Sequence, residues 1–136
     1  MIVCGIQIAG SKAIFTILKK NNGDIQDITS NFRKLELANH ENCNEVRSFS
    51  NTIKSHFDNL NPKRIGIIKR NKSGPFSGGA VSFKIEGLIQ IYEKNNIELI
   101  PPPTLKKFQK EKSPVINPQY KYQEDSCLLA HYLLEE

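Results

Sequence analysis

Residues 1–37 read MIVCGIQIAGSKAIFTILKKNNGDIQDITSNFRKLEL, and this stretch decides the fold. From Met1 to Ala9 the side chains of Ile2, Cys4, Ile6 and Ile8 fall on one side. That period of two marks a strand with one face in a core. Gly10-Ser11 is a turn. Lys12 to Lys20 resumes extended chain, with Ile14, Phe15, Ile17 and Leu18 supplying apolar bulk. Asn21-Asn22-Gly23-Asp24 is a second turn, rich in the residues that tolerate the left-handed backbone of tight hairpins. Asp27 to Leu37 reads as a third strand carrying Ile28, Phe32, Leu35 and Leu37. Three consecutive strands joined by tight turns make an antiparallel meander.

Beyond residue 40 the period changes. Val46, Phe49, Ile53, Phe57 and Leu60 recur every three or four residues, the mark of an amphipathic helix. Asn42 with Glu45 three residues on resembles a capping box, and Asn61-Pro62 stops the helix. Arg64 to Ile68 is a fourth strand. Ala80 to Lys94 is a second helix, apolar around much of its circumference and therefore well buried. Ile97 to Ile100 is a fifth strand, closed by Pro101-Pro102-Pro103. Thr104 can cap a short helix, Leu105 to Lys110. A loop follows to Tyr122, and a last helix over about Gln123 to Leu134 turns Cys127, Leu128 and His131 inward. The order is strand, strand, strand, helix, strand, helix, strand, helix. With right-handed crossovers, the meander can share one sheet with two later parallel strands. This order predicts an α/β, ribonuclease H-like fold: a five-stranded mixed sheet with helices on both faces, in a single domain over residues 1–136.

Length and composition bound the rest. A chain of 136 residues with 38% hydrophobic residues can bury one ordinary core. No apolar stretch is long enough to span a bilayer, and Met1-Ile2-Val3-Cys4-Gly5 lacks the basic start of a secretory signal. Cys4, Cys43 and Cys127 are odd in number and widely spaced, which predicts free thiols and a cytoplasmic location. The net charge of +5 suits an anionic partner such as nucleic acid. Basic residues recur at Lys69-Arg70-Asn71-Lys72, at Lys106-Lys107 and at Lys110-Glu111-Lys112. They form a binding face only if the fold brings them together.

The segment Ser73-Gly74-Pro75-Phe76-Ser77-Gly78-Gly79-Ala80-Val81-Ser82-Phe83-Lys84 links the fourth strand to the second helix. Glycine permits close backbone approach, and a helix start offers free N–H groups to an anion. The sharper expectation is therefore a phosphate or partner contact at Ser77, Gly78 and Gly79, rimmed by Lys69, Arg70, Lys72, Lys84 and Lys106. The plainer alternative is a turn packed beneath its own helix. No Gly-Lys-Ser/Thr closes the segment, so it is not a P-loop. Ser77 and Ser82 lack an identifiable base. His40, His56 and His131 are scattered, and Cys127 reads as a packed thiol. Tyr120, Lys121 and Tyr122 combine rings that stack on bases with a cation.

Met1-Ile2-Val3-Cys4-Gly5-Ile6, Arg33-Lys34-Leu35, Phe76 to Glu86, and Ile100-Pro101 with Thr104-Leu105-Lys106-Lys107 resemble a small family of uncharacterised bacterial proteins, DUF3010. That family implies no activity. A more distant resemblance is to the Holliday-junction resolvases of the ribonuclease H-like superfamily. These place one carboxylate on the first strand, one at the end of the fourth and more at the last helix. Such acids hold two divalent metals, with magnesium demanding hard oxygen ligands. In this sequence the first position falls on Gln7 and the second on Lys69, while Asp125, with Glu124 beside it, remains at the last helix.

The resulting expectation is a non-catalytic, nucleic-acid-binding domain without a cofactor, its former metal site converted to a Lys69/Asp125 polar pair beside Gln7. One alternative is a magnesium-dependent nuclease with a degenerate acidic site. Another is a protein-interaction module acting as a homodimer.

Overall fold

A computed structural model describes residues 1–70, 79–112 and 116–136. It shows the α/β, ribonuclease H-like architecture: one mixed sheet with helices on both faces. The strands are β1 (Ile2–Ala9), β2 (Lys12–Asn21), β3 (Asp24–Asp27), β4 (Lys34–Glu36), β5 (Arg64–Ile68) and β6 (Ile97–Ile100). The helices are α1 (Cys43–Leu60), α2 (Ala80–Gln90), α3 (Pro102–Glu111) and α4 (Glu124–Glu135). The sheet order is β3-β2-β1-β5-β6. β1 pairs antiparallel with β2 and parallel with β5, and β5 pairs parallel with β6.

The sheet has six strands where five were expected, because the third strand is broken. β3 and β4 lie one after the other along the outer edge of β2, opposite Leu18–Asn21 and Lys12–Ile14. Between them Ser30 takes a left-handed backbone (φ 55°). Buried Thr29 turns its hydroxyl to accept the N–H of Ile17 at 2.9 Å. A side chain here does the work of a ladder carbonyl, so the chain leaves the edge without orphaning its neighbour.

Alternation along β1 divides the core. Cys4, Ile6 and Ile8 face α1 and α2 with Phe15, Ile17, Phe49, Ile53, Phe57, Ile85 and Ile89. Val3 faces the other way, with Leu18, Leu105, Leu129, Ala130 and Leu133. α4 approaches this second face closely because glycine lies beneath it. A β-carbon on Gly5 would sit 2.6 Å from the Ala130 nitrogen, and one on Gly66 would sit 3.1 Å from Leu133 Cδ1. The hydroxyls of Thr16 and Ser126 meet in the same layer at 2.7 Å, fully buried. Arg64 closes the far end, binding both Glu98 oxygens at 2.7 and 2.9 Å and donating to the Leu133 carbonyl at 2.8 Å.

The helix ends refine the sequence reading. The Asn42 side chain caps α1 by accepting from Asn44 and Glu45 N–H, but Glu45 reaches back to the Asn39 N–H rather than completing a capping box. α2 ends at Gln90, four residues before the expected limit. α3 begins at Pro102, using proline where a backbone N–H would have no partner within the helix, rather than being capped by Thr104.

Candidate functional site

The C-terminal ends of β1, β5 and β6 lie together, and the first turn of α4 arrives at the same edge. Gln7, on the α4 face of β1, donates its side-chain N–H to Asp125 Oδ2 at 3.0 Å. The buried Thr16–Ser126 hydroxyl pair and the contact of α4 with Gly5 hold Asp125 there, one residue away from Ser126. Glu124 is exposed beside it and lines a shallow cavity of about 250 Å³ with Gln109, Asn117 and Leu128.

Lys69 does not join this pair. Gln7 stands level with Ile68 in the parallel register, since Ile6 pairs with Ile67. Alternation then gives the α4 side to Ile68 and the opposite side to Lys69. Ile68 packs with the α4 cluster, while Lys69 is exposed and donates its backbone N–H to Ile100 at 2.9 Å. No ion pair links Lys69 and Asp125 among the described residues, so the expected polar pair is replaced by Gln7–Asp125. The amide compensates the carboxylate without a cation.

The residues at this edge do not fit a divalent metal pair. Gln7 offers its N–H to Asp125, and level with it on β5 stands Ile68 rather than a carboxylate, which leaves one amide oxygen, Asp125 and the neighbouring Glu124. Among the described residues no three His, Cys, Asp or Glu side chains converge on a metal-sized space. Residues 71–78 and 113–115 contain none of these four types.

The basic rim expected around the glycine turn is also altered. Lys72, Ser77 and Gly78 lie outside the described residues. Gly79 is the exposed N-cap of α2, and the Ser82 hydroxyl donates to its carbonyl at 2.6 Å. Arg70 binds Glu86 at 2.9 Å, both side chains largely covered, with its guanidinium 4.6 Å from the Phe83 ring centre. Lys84 donates to the His40 carbonyl at 2.8 Å and lies 3.0 Å from its ring nitrogen. These two cations staple α2 to its surroundings. Lys106 remains exposed on α3.

Two of the three thiols, Cys4 and Cys127, are buried, and Cys43 is exposed at the start of α1. Burial pushes the Cys4 thiol far up and the Cys127 thiol up to about 11, so neither ionises near neutrality. His131 is buried on α4 against the edge of Phe108.

Sequence reasoning gave little weight to a cluster next to Gln7. Lys34 pairs with Ile14, which pairs with Gln7, so the three stand in one row across the sheet. The Lys34 ammonium lies 5.1 Å from the Tyr122 ring centre, and the Arg33 guanidinium lies 4.5 Å from that of Tyr120. The two rings are nearly parallel, at 19° and 5.8 Å. Arg33-Lys34 and Tyr120-Lys121-Tyr122 were both legible as short motifs. Their convergence across 89 residues was not.

A family model described as "Protein of unknown function (DUF3010)" matches residues 1–132, and the chain belongs to that family. No curated protein matches it by sequence. Among solved structures it is similar to Thermus thermophilus RuvC, with a TM-score of 0.73 and 8% identity over 96% of this chain and 92% of that one. RuvC of the same organism in complex with Holliday junction substrate gives 0.69 and 10%, over 96% and 91%. The Fowlpox virus resolvase in complex with Holliday junction DNA gives 0.56 and 16%, over the whole of both chains. These likenesses establish the ribonuclease H-like fold.

Proposed function

We propose that the chain is a single ribonuclease H-like domain that binds nucleic acid without cutting it. The observation that carries the reading is the Gln7–Asp125 hydrogen bond. It stands where a two-metal nuclease needs carboxylates, and it engages Asp125 with an amide, leaving Glu124 as the only other acid in the first turn of α4. The net charge of +5 supports an anionic partner, and the fold shared with two structures solved on Holliday junction DNA makes branched DNA the first substrate to try.

Labelled four-way junction, duplex and single-stranded DNA and RNA, titrated across a salt series, test this reading. Binding weakens as salt rises, and no strand is cut with magnesium or manganese present. Metal-dependent cleavage that disappears in Asp125→Asn would overturn the non-catalytic reading. A protein that binds no nucleic acid at low salt but forms a stable homodimer would favour the interaction module instead.

A further inference from the structure

The cations of this protein divide into those that are neutralised and those that are not. Lys20, Arg64, Arg70 and Lys94 each meet a carboxylate, whereas among the described residues none lies within ion-pair reach of Arg33, Lys34 or Lys121. Arg33 and Lys34 lie over the rings of Tyr120 and Tyr122, which are 44% and 38% accessible, and Lys121 stands between the two tyrosines in sequence. Exposed aromatic area of this kind is uncommon here, since only Met1 and Ile91 are the other large apolar side chains so exposed among the described residues.

The cluster is also pre-arranged. Arg33 donates from Nε to the Tyr122 hydroxyl at 3.1 Å and from Nη1 to the Ser30 carbonyl at 3.3 Å. Tyr120 donates its backbone N–H to the side chain of buried Gln123, which itself donates to the Phe15 carbonyl at 2.9 Å. The rings are thus tied to the sheet rather than to a free loop, which lowers the ordering cost of stacking on them.

The geometry points to Tyr120 and Tyr122, with Arg33, Lys34 and Lys121, as a subsite that stacks an unpaired nucleobase and holds its flanking phosphates. The inference rests on the nucleic-acid reading above and deepens it. A base presents a flat π-face to the exposed part of the rings, and its phosphates meet Arg33 and Lys34, which lie over the rings, and Lys121. A fully paired duplex offers no such face, so the site selects single strands, bulges and junction openings. The row Gln7, Ile14, Lys34 places it about 10 Å from Gln7, two strand spacings across the sheet.

The chain contains no tryptophan, so Tyr120→Trp introduces a single reporter ring at the subsite. The probes are a fluorescein-labelled single-stranded oligonucleotide and a blunt, fully paired duplex of the same length. Tyr120→Ala and Tyr122→Ala each weaken single-strand binding roughly tenfold, with little change toward duplex. Tyr120→Trp retains the affinity, and its emission is quenched by the unlabelled single strand but not by duplex. Single-strand binding unchanged in both alanine variants, or an unquenched tryptophan, overturns the subsite while leaving the broader reading intact. Failure of the unsubstituted protein to bind the single strand overturns the subsite, and failure to bind the four-way junction and RNA as well removes the broader reading too.

Discussion

The backbone carbonyl of Ser126 occupies the space that a β-carbon on Gly5 would fill. Glycine at that point sets how near α4 comes to β1, and thereby the contact between Asp125 and Gln7. Backbone cannot swing aside as a side chain can. Gly5→Ala is therefore expected to cost about 3 kcal/mol, read as a lower urea midpoint. Gly66→Ala meets only side-chain tips, of Leu133 and Leu129, and costs about 1 kcal/mol. Equal losses in the two variants would contradict this account.

The Thr16–Ser126 hydroxyl pair predicts strong coupling. Ser126→Ala leaves the buried Thr16 hydroxyl without its partner, at a cost of about 2 kcal/mol. Thr16→Val leaves Ser126 its bond to the Gln123 carbonyl, so the loss is smaller. In the double variant no Thr16 hydroxyl remains to be stranded, and much of the Ser126→Ala loss is recovered. Strictly additive losses in a double-mutant cycle would show that the hydroxyls do not act together.

Two histidines predict how stability depends on pH. Burial lowers the pKa of His56 and of His131 below the ordinary value of about 6.5. At His131 the nearby Glu135 opposes this, but that carboxylate already pairs with Lys20 at 3.1 Å, and Lys112 adds to the depression. A histidine with a depressed folded pKa takes up fewer protons folded than unfolded. Stability is then full above about pH 6.5 and falls as the pH drops toward the folded values. Asp58, held low chiefly by its hydrogen bond from Lys94, does not titrate in this window. Urea midpoints measured from pH 8 to 5 should decline below 6.5, and His56→Gln with His131→Gln should flatten the curve.

Gln7→Glu replaces an amide donor with a second carboxylate at hydrogen-bond distance from Asp125. Like charges so close raise the pKa of one of them, so the folded state binds more protons than the unfolded one. The variant should lose about 1 kcal/mol at neutral pH and regain it as the pH falls toward 4. Thermal unfolding followed at pH 7 and pH 4 checks the sign, and a loss that grows on acidification would contradict it.

The elements with strong periodicity were legible in the sequence: β1, β2, β5 and α1 fall where alternation or three-to-four spacing put them. The break between β3 and β4 was hidden because Thr29 is itself a good strand residue. Only its bond to the Ile17 N–H, twelve residues back, shows that it ends the edge. Gln7 and Asp125 were named together by analogy, but their hydrogen bond spans 118 positions and no local pattern reports it. Lys69 was misassigned by parity, since a shift of one residue in a strand changes the face. The pairing of Arg70 with Glu86 sits in the sequence as two unremarkable charges, and only folding makes it a staple.

The packing of α4 against Gly5 also fixes when the fold can close. The groove over β1 and β5 is filled by residues 124–135, whereas β1 beneath it is made more than a hundred residues earlier. During synthesis the N-terminal meander can pair early, but its α4 face, with Val3 and Leu18, stays uncovered until the last helix emerges. Sequence-distant contacts of this kind close more slowly than local ones, so this apolar sheet face is covered later than the meander pairs.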